Sequence, residues 1–241
     1  MTTAPLPSAD PGPLRSYGPA DTQVLEDFPG DRGTVFLVHG GFWRARTDRS
    51  HARAAAVAMA DRGWRVLLPE YPRPGMPGGG WPGTGDELRR ALEWVAETPG
   101  PLVLAGHSAG GQLALWLAHQ PVAARAAGVV PLGGCLDLRL VHDLGLGDHA
   151  AGDFLGGSPE EQPEAYATAD PAQLGPAPCP VVVVHGRDDD IVPLEVSRSW
   201  FDRCARPDRD RLLTVDGDHF AVMDPSAPAF ATVLETLDGF R

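Results

Sequence analysis

A serine flanked by glycines, Gly106-His107-Ser108-Ala109-Gly110, lies between the apolar run Pro101 to Ala105 and a helix-like stretch from Ala109 to His119. A strand-to-helix turn of this kind holds its central side chain out at the carboxyl edge of a sheet. Glycines on either side remove Cβ atoms that would collide there. Ser108 is therefore a candidate nucleophile. Its hydroxyl reacts poorly at neutral pH, so it needs a histidine base and an acid that fixes the histidine's tautomer. Eight histidines compete for that role. His219 is favoured, because Val215-Asp216-Gly217-Asp218-His219-Phe220 follows the last strand-like run and sets the imidazole in a late loop. The acid is expected after the apolar run Val181 to Val184, where Asp188, Asp189 and Asp190 stand side by side. Acyl transfer also needs backbone N–H donors where negative charge develops. Ala109 is expected to supply one, and Gly41 or Phe42, in the loop His39-Gly40-Gly41-Phe42-Trp43, the other. Trp43 and His107 are candidate substrate-pocket residues, with core packing the competing role for Trp43.

The elements that must position these residues follow from apolar patterning. Thr34 to Val38 and Trp64 to Leu68 read as strands, joined by an alanine-rich helix with Asp48 as its N-cap and Gly63 as its stop. The alternation continues with a helix from about Asp86 to Glu97, the strand before Ser108, the helix after it and a strand near Ala127 to Leu132. Val181 to Val184 and Arg211 to Val215 read as strands, Leu194 to Cys204 and Ala227 to Leu237 as helices. Strands without a polar face predict a mostly parallel sheet covered by helices on both sides, an α/β fold. Such sheets bind ligands beyond the carboxyl ends of their strands, where these loops fall. Residues 1–20 are expected as a loose amino-terminal arm and 21–241 as one domain. Within that domain, residues 135–178 read as a short cap-like insertion rich in Gly, Asp, Pro and Ala, with a short helix around Glu160 to Ala167.

Composition removes several alternatives. The chain has 241 residues, 43% of them hydrophobic, enough for a sizeable core. The net charge of −12 and the lack of a basic cluster argue against nucleic acid as a partner. Every basic residue is arginine, so lysine Schiff-base chemistry and pyridoxal phosphate attachment are excluded. Three cysteines, Cys135, Cys179 and Cys204, lack C-x-x-C spacing and fit reduced packing residues. With no secretion-signal pattern and no long apolar run, a soluble cytoplasmic protein without a membrane association is expected. No H-E-x-x-H run supports a metal site, His142, Asp143, Asp148 and His149 fall in a loop-like segment, and the calcium-loop-like start at Asp188 and Asp190 lacks its glycine and glutamate. No cofactor or metal is therefore expected. A homodimer stays open.

From about Asp21 to Arg241 the chain resembles the α/β-hydrolase superfamily, through G-H-S-A-G, the loop after the first long strand, and the chain order serine, acid, histidine. The superfamily's H-G-x-x-D-x-x-V-P pattern aligns on Asp189, with Asp188 next. The runs H-G-G-F-W at His39 to Trp43, G-H-S-A-G-G at Gly106 to Gly111 and D-H-F at Asp218 to Phe220 are similar to arylformamidases (kynurenine formamidases) and related small esterases. That resemblance implies cleavage of a small ester or amide through Ser108, Asp189 and His219 without a cofactor. The loop lacks the third glycine of hormone-sensitive-lipase relatives and the cap is short, which argues against long-chain lipids. A non-catalytic ligand- or partner-binding protein on the same fold is the alternative.

Overall fold

The computed structural model describes residues 6–95 and 99–240. Its strands are β1 (Leu14–Ser16), β2 (Val24–Phe28), β3 (Thr34–Val38), β4 (Arg65–Pro69), β5 (Leu102–His107), β6 (Ala126–Leu132), β7 (Val182–Gly186) and β8 (Arg211–Val215). They form one sheet in the order β1-β2-β4-β3-β5-β6-β7-β8, antiparallel at the β1-β2 and β2-β4 pairings and parallel elsewhere. The helices are α1 (Arg53–Asp61), α2 (Gly83–Val95), α3 (Ala109–Ala118), α4 (Leu138–Asp143), α5 (Leu146–Leu155), α6 (Pro163–Ala169), α7 (Pro171–Leu174), α8 (Leu194–Cys204) and α9 (Pro228–Asp238).

Successive residues of a strand face opposite sides of the sheet, and both sides here are dry. Val35 and Leu37 of β3 join Met59 of α1 and Phe230, Val233 and Leu237 of α9 in one core. Phe36 and Val38 join α2, α3, α8 and the insertion helices in the other. Helix α3 is buried along all ten residues, wedged between the sheet and α2. The expected end of α2 near Glu97 lies outside the described residues.

Three differences from the sequence reading have physical causes. The first is β2, whose Val-Leu-Glu-Asp-Phe pattern carries two acids. Both are neutralised from afar: Arg49 and Arg53 reach the fully buried Glu26, and Arg65 pairs with Asp27 through two hydrogen bonds of 2.9 and 2.8 Å. The second is the arm, expected to be loose: its residues 14–16 pair with β2 as the sheet's edge strand. Residues 1–5 lie outside the described residues. The third is the insertion, which holds four helices where one was expected. Its Asp, Pro and Gly residues are caps: Asp137 and Asp170 accept from the first turns of α4 and α7, prolines open α6 and α7, and left-handed Gly145 and Gly156 bound α5.

Candidate active site

The turn from β5 into α3 is tight enough to dictate its sequence. Ser108 sits at φ 56° and ψ −121°, a conformation L residues rarely adopt. Surrounding hydrogen bonds impose it: the Ser108 N–H donates to the Leu132 carbonyl at 2.9 Å, and the Ser108 carbonyl accepts from the N–H groups of Gly111 and Cys135 at 2.9 and 3.1 Å. A Cβ at position 106 would stand 2.1 Å from the Gly110 carbonyl oxygen, and one at 110 would stand 2.1 Å from that of Val38. Gly106→Ala is therefore expected to destabilise the fold by about 3 kcal/mol or more, read as a lowered thermal unfolding midpoint.

The imidazole and carboxylate come from two other strand ends. After β8, the Asp218 carboxylate accepts from the N–H groups of Phe220 and Ala221 at 3.0 and 3.1 Å, shaping the turn that carries His219. His219 Nδ1 meets Asp189 Oδ2 at 2.7 Å. The other Asp189 oxygen accepts from the Ile191 and Val192 N–H groups at 3.1 and 2.8 Å, and His185 Nε2 stands 3.2 Å from Oδ2. Burial pushes this carboxyl up, but the His185 and His219 contacts outweigh it and hold Asp189 below the usual carboxylate range. An ionised partner keeps the proton on His219 Nδ1 and leaves Nε2 with its lone pair. Of the three neighbouring acids, Asp189 is the buried one; Asp188 and Asp190 are exposed.

The loop after β3 approaches Ser108 from the other side. A Cβ on Gly40 would lie 2.9 Å from the Ser108 Cβ, so only glycine fits there. Gly41, Phe42 and Trp43 follow in succession at φ 105°, 49° and 54°. Among the described residues no backbone carbonyl accepts from the N–H groups of Gly41, Phe42 or Ala109. The loop is braced from β4's carboxyl end. Tyr71 stacks on His39 at 4.2 Å and donates its hydroxyl to the His39 carbonyl at 2.8 Å; the His39 ring meets the Gly40 carbonyl at 2.9 Å and Glu70 at 3.0 Å. Arg73 and Arg49 complete the Glu70 pairing. Burial pushes Glu70 up, but His39 and Arg73 outweigh it and hold it well below the usual carboxylate range. Glu70, Tyr71 and Arg73 were missed in the sequence, although their place just after a strand, at the same sheet edge as the loop, was the available signal.

Arg44 ties this loop to the insertion. It pairs with Asp153 and donates to the Gly147 and Asp148 carbonyls at 2.8 and 2.7 Å. Arg44→Ala is expected to lower kcat/KM of a reaction at Ser108 about tenfold by releasing Phe42, with a stability loss under about 1 kcal/mol because the ion pair is partly exposed. Steady-state kinetics and thermal unfolding read the two effects separately.

Ser108, His219, His107, Gly41 and Phe42 all line one cavity of about 690 Å³, a size typical of small-molecule sites. His107 donates from Nε2 to the His219 carbonyl at 2.9 Å, and burial pushes its ring well down and keeps it neutral. His51, absent from the sequence-based site, is pushed down to about 4, chiefly by burial, and stands in the same wall. Trp43 is a correction: it is fully buried outside this lining, stacked on Phe154 at 4.8 Å and donating to Gln112 at 3.1 Å. The indole is large enough to fill the gap between loop and insertion, and the core claims it. All three cysteines are free. Among the described residues no group of three or more His, Cys, Asp or Glu could hold a metal ion, and no helix is long and apolar enough to cross a membrane.

A central, mostly parallel sheet, a strained serine between β5 and α3, and an acid and a histidine in later loops define an α/β-hydrolase. A model of the alpha/beta hydrolase fold matches residues 35–143, and one of the prolyl oligopeptidase family matches residues 91–226, more than half of the chain. The chain belongs to the prolyl oligopeptidase family within the α/β-hydrolase superfamily. It is 26% identical over 205 residues to a probable carboxylic ester hydrolase, LipM, of Mycobacterium tuberculosis, a match covering 73% of this chain and 46% of LipM. The chain thus spans about half the length of that curated relative. Among solved structures, a putative thioesterase from a Silicibacter species is 26% identical with a TM-score of 0.68, covering 90% of this chain and 84% of its own. Esterase B from Lactobacillus rhamnosis, at 19% identity and a TM-score of 0.74, shares the fold over 98% of this chain and 88% of its own.

Proposed function

We propose that this protein is a serine hydrolase of carboxylic esters, with Ser108 as nucleophile, His219 as general base and acid, and Asp189 as the group that orients and charges the base. The observation carrying the proposal is the 2.7 Å contact of His219 with an ionised Asp189, in the cavity that a backbone-strained Ser108 also lines. As the Ser108 oxygen bonds to the ester carbonyl carbon, its proton passes to His219 Nε2 and the carbonyl π electrons move onto oxygen. That oxyanion accepts from the Ala109 N–H and from Gly41 or Phe42, donors that no backbone carbonyl occupies among the described residues. Collapse expels the alcohol with the proton from His219, and water releases the acid by the same steps. Similarity to LipM, a probable carboxylic ester hydrolase, supports an ester substrate.

Formamides are the second substrate class, supported by the H-G-G-F-W and D-H-F runs. The test sets p-nitrophenyl butyrate and N-formylkynurenine against the purified protein. A pre-steady-state burst of nitrophenol is expected with the ester. Turnover of neither compound, nor of other short esters, would reject the proposal, and a specificity constant for the formamide far below the best ester's would reject the second class.

A further inference from the structure

We infer that residues 6–9, ahead of the first strand, form one wall of the substrate cavity, and that Leu6 and Ala9 select the apolar group of the ester. The inference rests on the ester-hydrolase reading for the identity of the ligand. Residues 6–9 line the cavity that contains Ser108 and His219. Leu6 is half-buried and packs on the core that α1 and α9 share. With Pro7 and Ala9 it presents an apolar surface, and Phe42, Ile191 and Phe220 line the same cavity from other elements. The remaining lining includes Arg46, Thr47 and His51. A ligand filling this space has an apolar part, aliphatic or aryl and longer than acetyl, in contact with the amino-terminal segment.

The segment is held in place by backbone bonding downstream. The Gly12 N–H donates to Glu26 Oε2 at 3.1 Å, the Pro13 carbonyl accepts from the Asp27 N–H at 2.9 Å, and β1 pairs with β2. Glu26 then connects this anchor to the loop beside Ser108. It accepts from Arg49 Nε at 2.8 Å, Arg49 donates to Glu70 at 3.1 Å, and Glu70 meets the His39 ring that holds the Gly40 carbonyl. One partly buried chain of charges thus positions both the wall and the loop.

Ligand-observed NMR titration of the Ser108→Ala protein with ethyl acetate, ethyl hexanoate and hexyl acetate tests the wall without turnover. Leu6→Ala in that background is expected to weaken one of the two longer esters about fivefold and to leave ethyl acetate within about twofold, with Leu6→Met restoring the affinity. Ala9→Leu, which fills the cavity, is expected to weaken the same longer ester. Unchanged affinity for both longer esters in the two variants, or an equal loss for all three, would overturn the inference; an equal loss marks a purely structural role. The hydrolase reading is checked apart from this by turnover of the three esters with Ser108 in place. Binding that responds to Leu6 in a protein that hydrolyses none of them would sink that reading and keep the wall.

Discussion

Ser108→Ala is expected to lower kcat/KM for p-nitrophenyl butyrate by about 10⁵-fold while far-ultraviolet circular dichroism and the unfolding midpoint stay near those of the parent. On the proposed mechanism the substitution removes the atom that would bond to the substrate, and of the turn's contacts it removes only the side-chain hydrogen bond with Cys135. The Ser108 N–H and carbonyl make the supporting hydrogen bonds, and both survive in alanine. Residual turnover would come from binding and from the two N–H donors, which act without a nucleophile. A variant within tenfold of the parent would place the attacking group elsewhere.

The second large effect is expected at Asp189, where Asn should cost about 10⁴-fold in kcat. Asparagine keeps an oxygen for the Ile191 and Val192 N–H groups, so the turn survives. It offers His219 Nδ1 no negative charge, which frees the tautomer and removes the stabilisation of the imidazolium. Asp188→Asn should leave kcat within about twofold, since that side chain is exposed. The same substitution has a signature in stability. The folded Asp189 carboxyl lies below its unfolded value of about 3.9, so its contribution is present above that pH and is lost as pH falls through the folded value. The parent should therefore lose stability in acid more steeply than Asp189→Asn, measured as unfolding midpoints from about pH 5 downward.

Features set by contiguous residues could be read from the sequence, whereas features set by contacts between distant elements could not. The Ser108 turn could be read directly, because the strand, the glycines and the helix are contiguous and the glycines answer to clashes inside the same turn. Residue chemistry alone left the acid open among three adjacent aspartates, whose burial is decided by the turn they share, and the superfamily's H-G-x-x-D-x-x-V-P pattern singled out Asp189. Strand β2 was hidden because Glu26 and Asp27 look like loop residues until arginines at 49, 53 and 65 arrive from other elements. The edge strand β1 was hidden because its pairing partner was hidden. Trp43 was misplaced for a related reason: an aromatic next to a glycine loop fits a pocket wall or a core equally well until Phe154 supplies the stacking face. The acids, prolines and glycines of the insertion have one chemistry as loop punctuation and the same chemistry as helix caps, and only the packing of α4 to α7 separates the two.

The most direct test of the central claim, that Ser108 is a nucleophile activated by His219, is intact and peptide mass spectrometry after exposure to a fluorophosphonate. A single phosphonyl adduct is expected on the peptide containing Ser108 in the parent, with labelling slowed by orders of magnitude in the folded His219→Ala variant. Folded parent protein that takes up no label, or carries it on another residue, would contradict it.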